Sequence, residues 1–131
     1  MKYLSDYMEQ AQSDLFKKKK VFFAFSNEQF SKGMEKHKMS KETQITRLGQ
    51  GMYCPTTFAG QVVVELDKIY RDSIQQDIAE NGIEKIILRE LSNHECYYTW
   101  DTSDCVEKLK DYPNITEKLI NQIFNKHSHK F

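Results

Sequence analysis

Between Phe58 and Ile78 the residues Phe58, Val62, Leu66, Ile69, Tyr70, Ser73, Ile74 and Ile78 recur at helical steps, and Asp67, Lys68, Arg71, Asp72, Gln75 and Gln76 fall between them. That period lines one face of an α-helix with apolar side chains and leaves the other polar. It predicts a helix over about 57–80, the longest of the chain, which Asn81-Gly82 ends. Glycine suits that position because it accepts the left-handed conformation just beyond a helix. In a chain of 131 residues such a helix is expected to be the spine of the core.

The segments on either side are shorter. Leu4, Tyr7, Met8, Ala11 and Leu15 share one face of a first helix, which runs into Lys17-Lys18-Lys19-Lys20. Cations complement the dipole at a helix C-terminus, so the lysine run reads as a solvated helix end. Val21-Phe22-Phe23-Ala24-Phe25 has the β-branched and aromatic content of a strand. The order Lys-Lys-Val-Phe-Phe-Ala-Phe is faintly like the aromatic strand of an RNA-recognition sheet, but the glycine and the alternating strand and helix context are missing. A packed strand is the expectation.

Ser26-Asn27-Glu28-Gln29 reads as a capping box that opens a short helix with Phe30 and Met34 inward. Gly49-Gln50-Gly51 suits the turn of a hairpin near 44–54, since neither a third glycine nor a lysine-threonine pair follows to make a phosphate loop. After Gly82, Ile83, Ile86, Ile87, Glu90 and Leu91 begin a helix that reaches a polar and aromatic corner at Asn93. Asp101 or Thr102 then caps a helix with Val106 and Leu109 inward, Tyr112-Pro113 breaks it, and Thr116 caps a last one carrying Leu119, Ile120, Ile123 and Phe124. The tail from His127 to Phe131 is expected to fray.

The expected fold class is therefore α+β: a mainly helical single domain over 1–131, with a short strand near 21–25 and a hairpin near 44–54 forming a small antiparallel sheet. That sheet packs on the long helix, and three C-terminal helices complete the core.

Nineteen basic and nineteen acidic residues cancel, so no global field draws the chain to nucleic acid or to an anionic membrane. Only Arg47, Arg71 and Arg89 are arginine, which weakens the case for bidentate phosphate recognition. Three cysteines, Cys54, Cys96 and Cys105, make an odd count without a close pair, unlike a secreted disulfide framework. The opening Met1-Lys2-Tyr3-Leu4-Ser5-Asp6 lacks the order of a signal peptide, and no apolar run is long enough to span a bilayer. A cytoplasmic protein without a membrane partner is expected.

The residues with the most chemistry lie in the corner Asn93-His94-Glu95-Cys96-Tyr97-Tyr98-Thr99-Trp100-Asp101. A metal-assisted hydrolase would recruit His94, Glu95 and Asp101, but adjacent His94 and Glu95 do not share a helix face and no His pair lies four apart. A cysteine-dependent one would use Cys54, its pKa lowered by the long helix, with His94 as base and Asp101 as orienter. No flanking signature supports either, and no cofactor is implied. The last two helices also read as a helix-turn-helix offering Lys118, Asn121, Gln122, Asn125 and Lys126, although the last helix lacks arginine and follows Asp101, Asp104, Glu107 and Asp111. An αα-hairpin closing the core is the expectation there.

Phe23-Ala24-Phe25-Ser26-Asn27-Glu28-Gln29-Phe30, Gly49-x-Gly51, Leu91-x-Asn93-His94-Glu95 and Tyr98-Thr99-x-Asp101 together resemble a family of small uncharacterised proteins of phages and related mobile elements. The likeness runs from about Val21 to Ile123 and excludes the cysteines. It implies an accessory protein in the cytoplasm of a bacterial host that acts by binding a host protein or ribonucleoprotein, for instance as an inhibitor of a defence system such as a CRISPR nuclease. The expected contact surface is Asn93, His94, Glu95, Tyr97, Tyr98, Trp100 and Asp101, because exposed aromatics among polar groups make interface anchors. Val63, Val64 and Ile69 give the long helix a second apolar edge, which suits a homodimer.

Overall fold

Helix α1 (Leu4–Lys18) buries Leu4 and Leu15 along the predicted stripe and places Lys17 and Lys18 in its last turn. A computed structural model describes residues 1–128 of the chain. Strand β1 (Phe22–Phe23), helix α2 (Asn27–Lys36), strands β2 (Ile45–Gly49) and β3 (Met52–Pro55) and a 3-10 turn (Thr56–Phe58) lead into α3 (Ala59–Asn81). Then follow α4 (Ile83–Asn93), α5 (Cys96–Thr99), α6 (Ser103–Lys108) and α7 (Glu117–Ser128). The class is α+β, mostly helical. The chain forms two compact units, Met1–Ser73 and Ile74–Phe131, with α3 running through their boundary.

In the first unit β3 is the central strand of an antiparallel sheet, flanked by β1 and β2. Phe22 lies opposite Tyr53 and Phe23 opposite Met52, while Arg47 faces Tyr53 across the hairpin. Gly51 holds a left-handed backbone at the turn, φ +73°, as a tight hairpin requires of one residue there. Leu15, Val21, Cys54 and Val62 are buried together, and Phe16, Leu48, Met52, Phe58, Leu66 and Ile69 pack around them. The predicted packing of sheet on long helix is thus present. Lys19, the C-cap of α1, ties that helix to α3, donating to Gln61 Oε1 at 2.7 Å with its ammonium 4.9 Å from the Phe58 ring.

Helix α2 is held by rings. Phe22 stacks on Tyr53 at 5.7 Å, and Phe30 meets both edge-on at 5.4 and 5.1 Å. Ser26 accepts the Gln29 amide at 3.2 Å, as a capping box requires. The return limb falls one residue early, because Gln29 Oε1 accepts from the Phe25 amide at 2.7 Å.

In the second unit α4 packs against α5, α6 and α7. Ile86, Ile87, Leu91, Leu109, Tyr112, Ile115, Ile120, Ile123 and Phe124 are all buried there. Full burial of each such side chain stabilises by about 1.5–3 kcal/mol, so this layer supplies much of the unit's hydrophobic stabilisation. Thr116 caps α7 by accepting the Leu119 amide at 3.1 Å.

Three expectations need correction. The first strand is shorter than predicted: past Phe23 the backbone leaves the ladder, although Ala24 still donates to the Gly51 carbonyl at 2.8 Å. Four C-terminal helices form rather than three, because the corner itself coils into the one-turn α5. Of the tail expected to fray, His127 and Ser128 form the last residues of α7, and the part from 129 onward lies outside the described residues. On the second apolar edge Val63 and Val64 are exposed, whereas Ile69 packs against the first unit's core.

Gly33, inside α2, offers a test in which two effects have opposite signs. Helix propensity alone favours Gly33→Ala by about 1 kcal/mol. A Cβ at that position, however, would lie within 3 Å of three atoms of the Phe22 ring. Overpacking of this kind costs about 1–3 kcal/mol and should win, so the variant is expected to lower the urea midpoint with an unchanged slope.

Candidate functional site

Asp77 occupies the buried face of α3, four residues beyond Ser73 and three beyond Ile74, where the apolar stripe would otherwise continue. Arg89 on α4 meets it with both terminal nitrogens, Nη1 to Oδ1 at 2.9 Å and Nη2 to Oδ2 at 3.0 Å. Tyr112 donates its hydroxyl to Oδ2 at 2.5 Å and Asn81 donates to Oδ1 at 2.8 Å. Burial works to raise the Asp77 pKa, but the hydrogen bonds from Arg89, Tyr112 and Asn81 and the Arg89 charge outweigh it and hold the carboxyl below its ordinary range. The Tyr112 phenol is pushed well up, by burial first and by Asp77 second.

Arg89 is shared with a second carboxylate. Its Nε and Nη2 each lie 3.3 Å from Glu90 Oε1. Glu90 Oε2 faces His94 Nε2 at 3.6 Å, beyond hydrogen-bond reach. Both atoms are buried without a hydrogen-bond partner among the described residues. His94 is the C-cap of α4, so the ion network ends where the predicted corner begins.

The corner is a tight piece of backbone. Glu95 (φ 55°) and Trp100 (φ 57°) bracket α5 in the left-handed region, a conformation that costs a residue with a Cβ about 1–2 kcal/mol. Between them Cys96 is fully buried. Tyr97 stacks on Phe124 of α7 at 4.9 Å, and the Trp100 ring meets the same phenylalanine edge-on at 5.6 Å. Tyr98 is left 88% exposed and Trp100 68% exposed. Asn93 and Glu95 are also exposed, at the end of α4 and in the turn after it. Asp101 Oδ1 accepts from the Ser103 amide at 2.9 Å and from its hydroxyl at 2.5 Å, which orders the start of α6 and lowers the carboxyl's pKa.

Residues 4–130 match a family of unknown function (DUF7659). The chain belongs to that family. None of the curated proteins and none of the solved structures matches it. Family membership thus brings no activity, and the chemistry of the site has to be judged from its residues.

His94, Glu95 and Asp101 engage different surroundings. His94 turns inward to Glu90, Glu95 outward to solvent, and Asp101 to Ser103. Among the described residues no group of three or more His, Cys, Asp or Glu side chains is placed to hold a metal ion. Cys54 lies within β3, fully buried and separated from α3 by the 3-10 turn. Burial pushes its thiol pKa up, the reverse of the activation expected from a helix terminus. Cys96 and Cys105 are likewise buried, and Cys105 is pushed up to about 12 by burial, with Cys96 and Glu90 adding to it.

On α7 the proposed DNA-reading side chains are partly committed within the protein. Asn121 accepts from Thr102 at 2.8 Å, and Lys126 faces Glu84 at 3.7 Å. What sequence reasoning missed is the ion network. The available signal was a charge on the apolar stripe of α3 together with Arg89 in the helix that follows, since a charge on a core face requires a partner.

Arg89→Met strands two buried carboxylates and should destabilise the fold by about 3–5 kcal/mol, whereas Tyr112→Phe should cost about 1.5–3 kcal/mol. Because the folded pKa of Asp77 is depressed, its stabilising contribution is complete above the unfolded value of about 3.9 and is lost as pH falls through the folded one. Urea titrations stepped from pH 7 to pH 3 should therefore show an acid loss of stability in the wild type that is shallower in Asp77→Asn.

Proposed function

We propose that the protein acts by binding a macromolecule of a bacterial host through the corner Asn93–Asp101, without turning over a substrate. The exposure of Tyr98 and Trp100 supports this reading most directly. Two large rings stand in solvent on a turn whose backbone is fixed by left-handed residues and whose inner ring, Tyr97, is clamped on Phe124. Large aromatic side chains carried on an ordered turn are frequent centres of binding energy at protein interfaces. Asn93, Glu95 and Asp101 supply a polar rim around them.

The finer reading is of a phage-type accessory protein working in the host cytoplasm, its partner a host protein or ribonucleoprotein. Inhibition of a defence system, such as a CRISPR nuclease, by occupying a surface fits a small chain whose cysteines are buried and whose corner side chains do not converge on a catalytic arrangement. Among the described residues no helix is long and apolar enough to cross a membrane.

The test is affinity capture from a lysate of the bacterium that carries the gene, with wild type beside Tyr98→Ala/Trp100→Ala. The captured protein is then purified and titrated calorimetrically. Both rings are largely exposed, so the double variant should keep the wild-type circular dichroism spectrum and lose only about 0.5–1.5 kcal/mol of stability with the Trp100–Phe124 contact. Its affinity should fall by at least a hundredfold, the effect of losing two interface anchors. Equal binding by the two proteins, or no capture by either, would sink the reading.

A further inference from the structure

The zero net charge of the chain is made of unlike parts. Between Lys17 and Lys41 there are eight lysines against only Glu28 and Glu35. From Glu90 to Glu107 the balance is reversed: Glu90, Glu95, Asp101, Asp104 and Glu107 are acidic, and neither lysine nor arginine occurs. That second stretch contains the corner, so the exposed rings of Tyr98 and Trp100 stand among carboxylates.

Two of the five charges are already matched. Glu90 is buried against Arg89, and Glu107 is paired with Lys110 at 2.6 Å. Glu95, Asp101 and Asp104 are exposed and form no ion pair with a described residue.

The turn brings these three close to the rings. The amides of Tyr98 and Thr99 both donate to the Glu95 carbonyl, at 2.9 and 3.2 Å, so Glu95 stands one helical turn from Tyr98. Asp101 follows Trp100 directly, its amide donating to the Thr99 hydroxyl at 3.3 Å. Beneath the turn the Cys96 thiol is pushed up in pKa, by burial first and then by the charges of Asp104 and Asp101. Both carboxylates therefore lie within electrostatic reach of α5.

We propose that the partner of the corner is a basic polypeptide segment bearing arginine, whose guanidinium groups lie over Tyr98 and Trp100 and pair with Glu95, Asp101 and Asp104. This rests on the reading of the corner as a binding surface and names the chemistry that the surface receives. The π-face of a ring is negative and attracts a cation within about 6 Å of its centre, indole most strongly. Nearby carboxylates add to that attraction. Guanidinium serves both groups at once, because its plane stacks on a ring while its edge nitrogens reach a carboxylate, whereas a compact, strongly hydrated ammonium does not.

Other occupants fit less well. A second copy of the chain, related by a two-fold axis, would set the same carboxylates against themselves. An apolar segment would cover the rings and leave three acidic groups at its edge without partners. Nucleic acid would meet like charge.

The experiment is fluorescence anisotropy of a fluorescein-labelled twelve-residue peptide of alternating arginine and glycine, titrated with the full chain in 50 and 200 mM salt. Counterparts with lysine or glutamine in place of arginine run beside it. Saturable binding of the arginine peptide is expected, with the lysine peptide at least about threefold weaker and the glutamine peptide not bound. Tyr98→Ala/Trp100→Ala should weaken the arginine peptide by about tenfold or more. Glu95→Gln/Asp104→Asn should weaken it by about threefold or more at 50 mM salt and by less at 200 mM. Removing carboxylates elsewhere, with Glu9→Gln/Asp14→Asn on α1, should leave binding at the wild-type level.

Glu95 and Asp104 are exposed, and their amides keep the same shape, so nearly unchanged thermal melts are expected to accompany these losses. No saturable binding of the arginine peptide at 50 mM salt, equal binding of the lysine or glutamine peptide, or binding indifferent to the ring or the carboxylate variant would overturn the proposal. Titrating a captured host protein with the same variants separates the two readings. Affinity lost with the rings but kept in Glu95→Gln/Asp104→Asn leaves the corner an interface and overturns its cationic partner. Arginine-peptide binding that needs both rings and carboxylates, without any captured host protein, supports the cationic partner and removes only the bacterial-host reading.

Discussion

The second unit depends on one buried contact, the two-pronged pairing of Arg89 with Asp77. Taking a carboxylate and a guanidinium out of water is unfavourable by several kcal/mol per ion, and the pairing offsets it only because nearly every lone pair of Asp77 finds a donor. Those donors come from the end of α3, from α4 and from the connection between α6 and α7. The network therefore specifies how three segments meet, where an apolar core of the same volume would tolerate small slips. Arg89 reaches Glu90 as well, and Glu90 faces His94. The buried network thus lies directly against His94, inside the corner.

At the corner the energetics run the other way. Two left-handed residues with side chains cost about 1–2 kcal/mol each, and glycine at Glu95 would remove that strain. The turn is kept by side-chain contacts: Tyr97 and Trp100 against Phe124, each worth about 0.5–1.5 kcal/mol beyond burial, and Cys96 sealed beneath. Such a turn holds Tyr98 away from the protein.

Periodicity made the long helix and the first helix legible, because each buries one face and the residues along that face recur at the period of the element, whereas the hairpin was legible from the turn glycines Gly49 and Gly51. The capping roles of Ser26 and Thr116 were legible for the same local reason. The one-turn α5 was not, since Glu95 and Trp100 take conformations that sequence preference assigns to glycine, and the contacts of Tyr97 and Trp100 with Phe124 and the burial of Cys96 stabilise the turn. Asp77 was hidden because a charge on a helix is ordinarily counted with its solvated face, and its partner lies twelve residues away on another helix. The seven residues singled out at the corner are brought close by the chain itself, but they divide: Tyr98, Trp100, Asn93, Glu95 and Asp101 face solvent, while His94 and Tyr97 turn inward.

Net charge misleads most where the surface is most polarised. A sum of zero describes the field many Debye lengths away, whereas a ligand in contact feels charges within about 8–10 Å. Between Asn93 and Asp111 five carboxylates stand against Lys108 and Lys110, the inverse of the balance between Lys17 and Lys41. The two stretches belong to different units, each with its own exposed rings, Phe23 and Phe25 in one and Tyr98 and Trp100 in the other. A ring beside lysines and a ring beside carboxylates differ in local potential even though each presents the same negative π-face. Charge arranged in this way acts at contact distance and steers nothing from afar, because the opposing stretches cancel beyond a few Debye lengths.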